Sequence, residues 1–333
     1  MENSARNMKA LVLEQFGAPY ILKEIGIPTV DDYQVLVQIK ASGINPLDLK
    51  IKSGNAGHAK VKLPAIPGVD MAGIVVKVGR NVENFKAGDE VYGLTGGIGG
   101  VQGSLAEYAS VDPDLLAIKP KNLTMKEAAS LPLAFITAWE GLVDRAKVGT
   151  AQSVLIHGGA GGVGHIAIQI AKSFGAQVFA TGSESQKSIL NKLGATAIDY
   201  QTETVSDYVD NHTKGEGFDI IFDTLGGTTL DASFQAVKVY TGHVVSILGW
   251  GSHSLAPLSF RGATYSGVFT LLPLLSGKGR KHHGEILKEA TRLAENGLLK
   301  PTLDPKTFTL ETIEVAYQAI ENRTTSGKVV IEI

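Results

Sequence analysis

The chain has 333 residues, of which 44% are hydrophobic and 19% charged, and its 31 basic and 33 acidic side chains leave a formal net charge of -2. That length is more than one hydrophobic core normally supports and predicts two domains, while the balanced charge speaks against a nucleic-acid-binding surface. The absence of cysteine excludes disulfides, thiol nucleophiles and cysteine-based zinc sites.

No apolar run approaches the ~18 residues that cross a bilayer, and the opening MENSARNMKA has no apolar signal core. A cytoplasmic protein without a membrane partner is therefore expected. From Met8 to about Val111 the pattern is one of short β-type runs, KALVLE, VLVQIKAS, AGIVVKVG, DEVYGL and LAEYASV, separated by Pro/Gly connectors such as LPAIPG. This predicts a compact β-rich barrel. Within it Asn45-Pro46 reads as a turn-forming pair, with Asp48 either orienting Asn45 or capping a short turn. Lys50 and Lys52 read as solvated lysines or as an attraction for a carboxylated acceptor. His58 reads as a surface-loop histidine. Tyr92 and the run Gly96–Gly100 follow a barrel strand and are expected in a cleft wall or a flexible lid.

After Lys126 the rhythm turns helical, and a domain boundary is placed near Leu131–Pro132. The stretch Ser153 to Lys172, SVLIHGGAGGVGHIAIQIAK, then reads as a buried strand, a glycine turn and a helix from Val163 to Ser173. Gly159, Gly161 and Gly164 fill the pattern G-x-G-x-x-G, which serves a tight turn, close backbone approach to a pyrophosphate, and close helix–strand packing. With Gly162 and Val163 they would present backbone N–H groups and the positive end of the helix to the anion. His157 ends the strand and is expected to satisfy a buried hydrogen bond.

Beyond this point QVFATG, SILNKLG, AIDY, FDIIFDTLG, a helix around Leu230 to Tyr240 and HVVSILG alternate strand with helix, the mark of βαβ units and a parallel sheet. The tip of the second strand carries no acid: it reads Ala180, Thr181, Gly182, Ser183. Glu184 stands ~20 residues beyond Gly164, where an NAD-selecting carboxylate is sought, and Lys187 follows one turn later; the plain alternative for both is a solvated first helical turn. Asp223, Thr224, Gly226, Leu248 and Gly249 follow later strands at the carboxyl edge, where ribose contacts form. GATYSGVFTL reads as an edge strand, which suits pairing with a second copy as a homodimer. His282-His283 reads as a solvated turn. Helices near Gly284–Asn296 and Leu310–Asn322 precede the terminal strand KVVIEI, which is expected to return to the first domain.

The order of these segments resembles the zinc-independent quinone oxidoreductase (zeta-crystallin-like) branch of the medium-chain dehydrogenase/reductase superfamily. The matching segments are ASGINPLDLKIKSG (41–54), PGVDMAGIVVKVG (67–79), GDEVYGL (88–94), LPLAFITAWEGL (131–142), HGGAGGVGHIAIQIAK (157–172), FDIIFDTLGG (218–227) and the closing SGKVVIEI. The resemblance implies a GroES-like β-barrel catalytic domain at 1–131 and 273–333, a Rossmann doubly wound parallel sheet at 132–272, and NADPH-dependent reduction of quinones or α,β-unsaturated carbonyls in the cleft between them. It places Asn45 against the nicotinamide and substrate, Thr137 at the opening of a helix beside the carboxamide, and Ser183, Lys187 and Tyr200 around the 2'-phosphate, with Lys328 among the cofactor contacts. Asn45 would also donate a hydrogen bond to a developing enolate oxygen.

Zinc alcohol dehydrogenases of the same superfamily carry a Cys ligand at the position of Asn45 and a His-Glu pair at Val69 and Asp70, so no zinc is expected. The related quinone reductases have a Tyr where Lys50 stands, a departure that touches substrate class. The rival readings are a zinc-dependent alcohol dehydrogenase and a non-catalytic, crystallin-like NADPH-binding protein.

Overall fold

In the computed structural model, which describes residues 7–333, the chain divides into two units: one runs to Leu133 and resumes over Leu271–Ile333, the other is Ala134–Thr270. The first begins with β1 (Asn7–Val12) paired antiparallel to β2 (Ile21–Gly26). It continues through β3 (Val35–Gly43), α1 (Pro46–Lys52), β4 (Asp70–Val78), β5 (Glu90–Leu94), β6 (Tyr108–Val111), β7 (Leu116–Ile118) and α2 (Met125–Ala129). In β3, Val35, Val37, Ile39 and Ala41 are buried while the residues between them are half-buried, the period of two that a strand with one core face requires. Those side chains meet Met71, Val75, Phe85 and Val91 in one cluster. A capping box opens α2, with Glu127 N donating to Thr124 Oγ1 (3.2 Å) and Thr124 N to Glu127 Oε2 (2.8 Å).

The second unit alternates strand and helix as expected. After α3 (Pro132–Trp139), which contains the division point, come β8 (Ser153–His157), α4 (Gly164–Ser173), β9 (Gln177–Gly182), α5 (Lys187–Lys192), β10 (Thr196–Asp199), α6 (Val205–Thr213), β11 (Ile220–Asp223), α7 (Thr228–Ala236), β12 (His243–Ser246), α8 (Ala256–Phe260) and β13 (Thr264–Gly267). The six strands are parallel in the order β10-β9-β8-β11-β12-β13. This is a doubly wound sheet whose order reverses between β8 and β11, the switch point at which such sheets bind ligands. Four of the five β8 residues are buried, as a central parallel strand covered on both faces demands. Phe218 is fully buried and meets Phe179 edge-on at 5.4 Å between centroids. Phe218→Ala should therefore lower the free energy of unfolding by about 3–5 kcal/mol, measured by urea denaturation; a loss within experimental error would contradict this packing.

The chain then completes the first unit with α9 (Leu272–Ser276), α10 (Arg280–Glu295), β14 (Phe308–Thr309), α11 (Ile313–Glu321) and β15 (Val330–Glu332). β15 pairs antiparallel with β3, so the terminal strand does return to the first domain, in a sheet ordered β14-β15-β3-β4-β5-β7 with β6 also on β3.

Several local expectations are corrected. The helix expected over Leu230–Tyr240 stops at Ala236, because Val237 is extended (ψ 145°) and Tyr240 is left-handed (φ 66°). α10 starts at Arg280, so His282 and His283 lie on a helix rather than in a solvated turn, and His283 is fully buried. Tyr92 is also fully buried, and its hydroxyl donates to the Leu287 carbonyl (2.7 Å), which removes it from any cleft wall. The Gly96–Gly100 run is a packed turn rather than a flexible lid: a Cβ on Gly96 would lie 1.8 Å from the Gln102 carbonyl oxygen. Close backbone approach, not mobility, accounts for glycine there.

Candidate active site

The glycine turn after β8 is built from backbone. β8 ends at His157, the chain turns through Gly158 (φ 70°), and α4 begins at Gly164 with Val163 as its N-cap. A Cβ on Gly164 would lie 2.2 Å from the Gly158 oxygen, and one on Gly159 would lie 2.7 Å from the Ala180 Cβ, so helix and strands close on each other at glycine distances. Gly162 is different: among the described residues nothing beyond its chain neighbours lies within 4 Å of its missing Cβ, and Gly161 meets there only the Gly158 oxygen at 3.2 Å. The turn thus leaves open space directly before the start of a ten-residue helix, where His165 N and Ala167 N donate to the Gly161 and Val163 carbonyls (3.1 and 2.9 Å) and the positive end of the helix faces the gap. The residues fit a pyrophosphate.

The rim of the cradle comes from the neighbouring strand ends. Ser183 follows β9; its N–H donates to Gln186 Oε1 (3.0 Å) and its hydroxyl lies 2.9 Å from that of Ser185. Lys187 and Glu184 are both exposed with Nζ–Oε2 at 3.5 Å, and Tyr200 after β10 is 60% exposed. Thr224 donates its hydroxyl to the His157 carbonyl (2.7 Å), and Leu248 N donates to Ser246 Oγ (3.2 Å). The Thr181 hydroxyl accepts from Gly158 N (3.1 Å) and lies 3.2 Å from His157 Nδ1. Burial pushes the His157 imidazole down to about 4, leaving it neutral. His157 is a structural link in the cradle. Thr137 lies in the last turn of α3, not at the opening of a helix, and shares a 3.0 Å hydroxyl contact with Thr270, which donates to Glu140 Oε2 (3.1 Å).

In the first unit the polar residues gather where β3, β4 and β15 meet. Asn45 caps α1, with Pro46 as its first residue, and its backbone N–H donates to Asp48 Oδ2 (2.7 Å). Its side chain does not cap. Asn45 Nδ2 donates to Asp70 Oδ2 (2.9 Å) and, more weakly, to the Gly43 carbonyl (3.4 Å), while Oδ1 accepts from Lys328 Nζ. Lys328 also reaches Asp70 Oδ2 (3.3 Å), and Asp70 Oδ1 accepts from Leu133 N (2.8 Å). Asp48 and Asp70 are both fully buried. Burial raises both carboxyls, Asp48 to about 7, partly offset at Asp48 by the Asn45 N–H and at Asp70 by the Lys328 charge.

This arrangement revises two expectations. The Asn45 amide is committed to Asp70, Gly43 and Lys328, so it is not an idle donor waiting for a substrate oxygen. Lys52 is bonded to Glu314 and lies over the rings of Tyr20 (5.3 Å) and Tyr317 (5.5 Å), so it is a packed cation rather than a free attraction for substrate acids. Reading by residue type missed the Asp70–Lys328 pair. The signal available was an acid inside the otherwise apolar run PGVDMAGIVV. Among the described residues no group of three or more His, Cys, Asp or Glu is placed to hold a metal.

A doubly wound unit with an open glycine turn, joined in one chain to a β-rich unit with a buried polar cluster, defines a nucleotide-dependent dehydrogenase or reductase. Residues 31–121 match the alcohol dehydrogenase GroES-like domain family and residues 193–331 a zinc-binding dehydrogenase family. An NADPH-dependent alkenal/one oxidoreductase, chloroplastic, of Arabidopsis thaliana is 37% identical, over 98% of this chain and 80% of its own length. A quinone oxidoreductase of Sus scrofa is 30% identical over 99% of both. The crystal structure of an alcohol dehydrogenase superfamily protein from Novosphingobium aromaticivorans superposes with a TM-score of 0.96 at 55% identity, covering 98% of this chain and 99% of that one. The chain belongs to the medium-chain dehydrogenase/reductase superfamily, in its quinone oxidoreductase branch.

Proposed function

We propose that this protein uses NADPH to reduce α,β-unsaturated carbonyl compounds and quinones by hydride transfer, without a metal ion. The observation that carries the reading is the open, side-chain-free turn at Gly161–Gly162 before α4, which suits a dinucleotide pyrophosphate. When bound, the nicotinamide supplies the hydride. The chain's own work is to hold and orient. Gly159, Gly161, Gly162, Val163 and Gly164 take the pyrophosphate, while Thr224 and Leu248 border the ribose side. Ser183, Lys187 and Tyr200 are exposed enough to close on a 2'-phosphate, with the Lys187–Glu184 pair exchanging its weak surface contact for a phosphate. Thr137, in the last turn of α3, borders the carboxamide, and Asn45, anchored by Asp48 and Asp70, fixes the wall of the substrate site.

Metal-free chemistry is supported by the donor set itself. At Asn45 and Asp70, two positions where zinc enzymes of the superfamily place ligands, this chain has an amide and a carboxylate already joined to an ammonium. Assembly as a cytoplasmic homodimer fits the partly exposed edge strand β13.

Loss of NADPH absorbance with a panel of quinones and enones, unchanged by chelator, tests the reading; no turnover across the panel, or loss of activity on chelation, would reject it. In the same assay Lys187→Ala should raise the KM for NADPH about tenfold and leave that for NADH within about twofold. Equal effects on both cofactors would mean that Lys187 does not read the 2'-phosphate.

A further inference from the structure

In the buried cluster of the first unit, one donor is left over. Asn45 is 3% exposed and Asp48 and Asp70 are fully buried, whereas the Lys328 side chain is 9% exposed. The Asn45 amide is committed to Asp70, Gly43 and Lys328, and the Asp48 and Asp70 carboxyls, protonated or not, are enclosed completely. An ammonium carries three N–H groups. Those of Lys328 have two acceptors in the cluster, Asn45 Oδ1 and Asp70 Oδ2, so a third donor remains on the one member that reaches the surface.

Its position is set by the sheet. Lys328 lies two residues before Val330, which pairs with Gly43 in the antiparallel β15–β3 register, two residues before Asn45. A buried ion pair is a poor device for stability, because an apolar replacement of similar volume is often neutral or better. A pre-oriented cation with a spare N–H is, by contrast, what a developing oxyanion needs.

We propose that Lys328, which the family resemblance places among the cofactor contacts, serves the reduction instead as a catalytic residue, donating a charge-assisted hydrogen bond from Nζ to the substrate carbonyl oxygen. This rests on the enone and quinone reading above. Hydride adds to the β-carbon and forms a C–H bond there. The alkene π pair shifts toward the carbonyl carbon, and the carbonyl π pair moves onto oxygen, where the Lys328 N–H meets the new negative charge. A solvent proton then joins the α-carbon and the carbonyl re-forms. With a quinone the same hydride addition leaves the enolate of a ring enedione; the proton on the newly saturated ring carbon passes to solvent, the second carbonyl oxygen takes one from solvent, and the hydroquinone monoanion so formed takes its last proton on oxygen. The substrate class follows: an alkene must be conjugated to a carbonyl, because without that oxygen the ammonium has nothing to stabilise. Asn45 and Asp70 act as positioning residues that hold Nζ in place.

Lys328→Met should lower kcat for an enone about 10²–10³-fold while the NADPH Kd, measured by fluorescence titration, changes less than about twofold. Lys328→Arg, which keeps the charge and the donors, should recover at least about tenfold of the loss. A readout without cofactor uses 4-nitrophenol, whose phenolate imitates the enolate oxygen. The wild-type protein should bind the phenolate and favour its ionisation, seen in its absorbance, and Lys328→Met should abolish this. The proposal is overturned if Lys328→Met keeps the wild-type kcat, if its defect lies wholly in NADPH affinity, or if wild-type protein leaves nitrophenol ionisation unchanged. The last measurement decides the matter even if Lys328→Met fails to fold. Wild-type protein inactive toward every enone and quinone would reject the functional reading and this assignment together; an active wild type with an unaffected Lys328→Met would reject this assignment alone.

Discussion

Alanine at Gly164 is expected to raise the Kd for NADPH more than about 100-fold. The added Cβ would lie 2.2 Å from the Gly158 oxygen and 2.9 Å from both the Gly158 carbonyl carbon and the Gly159 Cα, all of them backbone. No rotamer change relieves a clash with main chain, so the turn or the start of α4 must move. Overpacking of this kind costs about 1–3 kcal/mol in stability, and it displaces the N–H groups that would hold the pyrophosphate. Gly162→Ala is the matched control, because its Cβ meets nothing within 4 Å. That variant should fold with wild-type stability in urea yet lose NADPH affinity, since the methyl group would stand where the phosphates approach. Fluorescence titration with NADPH beside urea unfolding separates the two effects. Normal binding by both variants would show that the turn is not the phosphate site.

The second large effect is a pH dependence of stability centred on Asp48. Its carboxyl ionises at about 7 in the folded protein against 3.8 ordinarily, driven first by burial and opposed by the Asn45 N–H; the Asp70 charge adds to the rise and the Lys328 charge reduces it. Between these values the folded state keeps a proton that the unfolded state has released. Stability therefore falls as pH rises through this window and levels off above about 7. The difference corresponds to at most about 4 kcal/mol. Asp48→Asn removes the charge while retaining an acceptor for the Asn45 N–H. The new amide N–H would replace Asp48 Oδ1, which is buried without a hydrogen-bond partner among the described residues, at a cost of about 1–3 kcal/mol that does not vary with pH. The variant should thus gain on the wild type by a few kcal/mol between about pH 4 and about pH 8, seen as diverging thermal unfolding curves. Curves that stay parallel over that range would show that Asp48 does not hold its proton in the folded state.

How legible these features were in the chain depended on how local their causes are. The strand–glycine–helix succession at Ser153–Ser173 is written in contiguous residues, since glycine is demanded by backbone distances of a few ångströms within one turn. The alternation of β3 and the βαβ rhythm of the second unit are likewise period signals within single elements. The errors fell where burial overrode residue type. His283 and Tyr92 look like surface or cleft residues by chemistry, yet packing against the rest of the first unit buries both completely. Lys52 reads as a solvated lysine but lies against two tyrosine rings held by distant segments.

The polar cluster is the clearest case of information that no short stretch contains. Asn45, Asp70 and Lys328 are separated by 25 and 258 residues, and nothing at Lys328 by itself distinguishes it from 30 other basic side chains. The sequence by itself determined two units, a parallel sheet, a glycine cradle and the family to which they belong, because each follows from periodicity or from a contiguous motif. Only the tertiary structure decided that Asn45 is already bonded and that Lys328 carries the spare donor. Hydrogen-bond partnership is settled by strand register and burial, and the β15–β3 pairing that sets this register joins opposite ends of the chain.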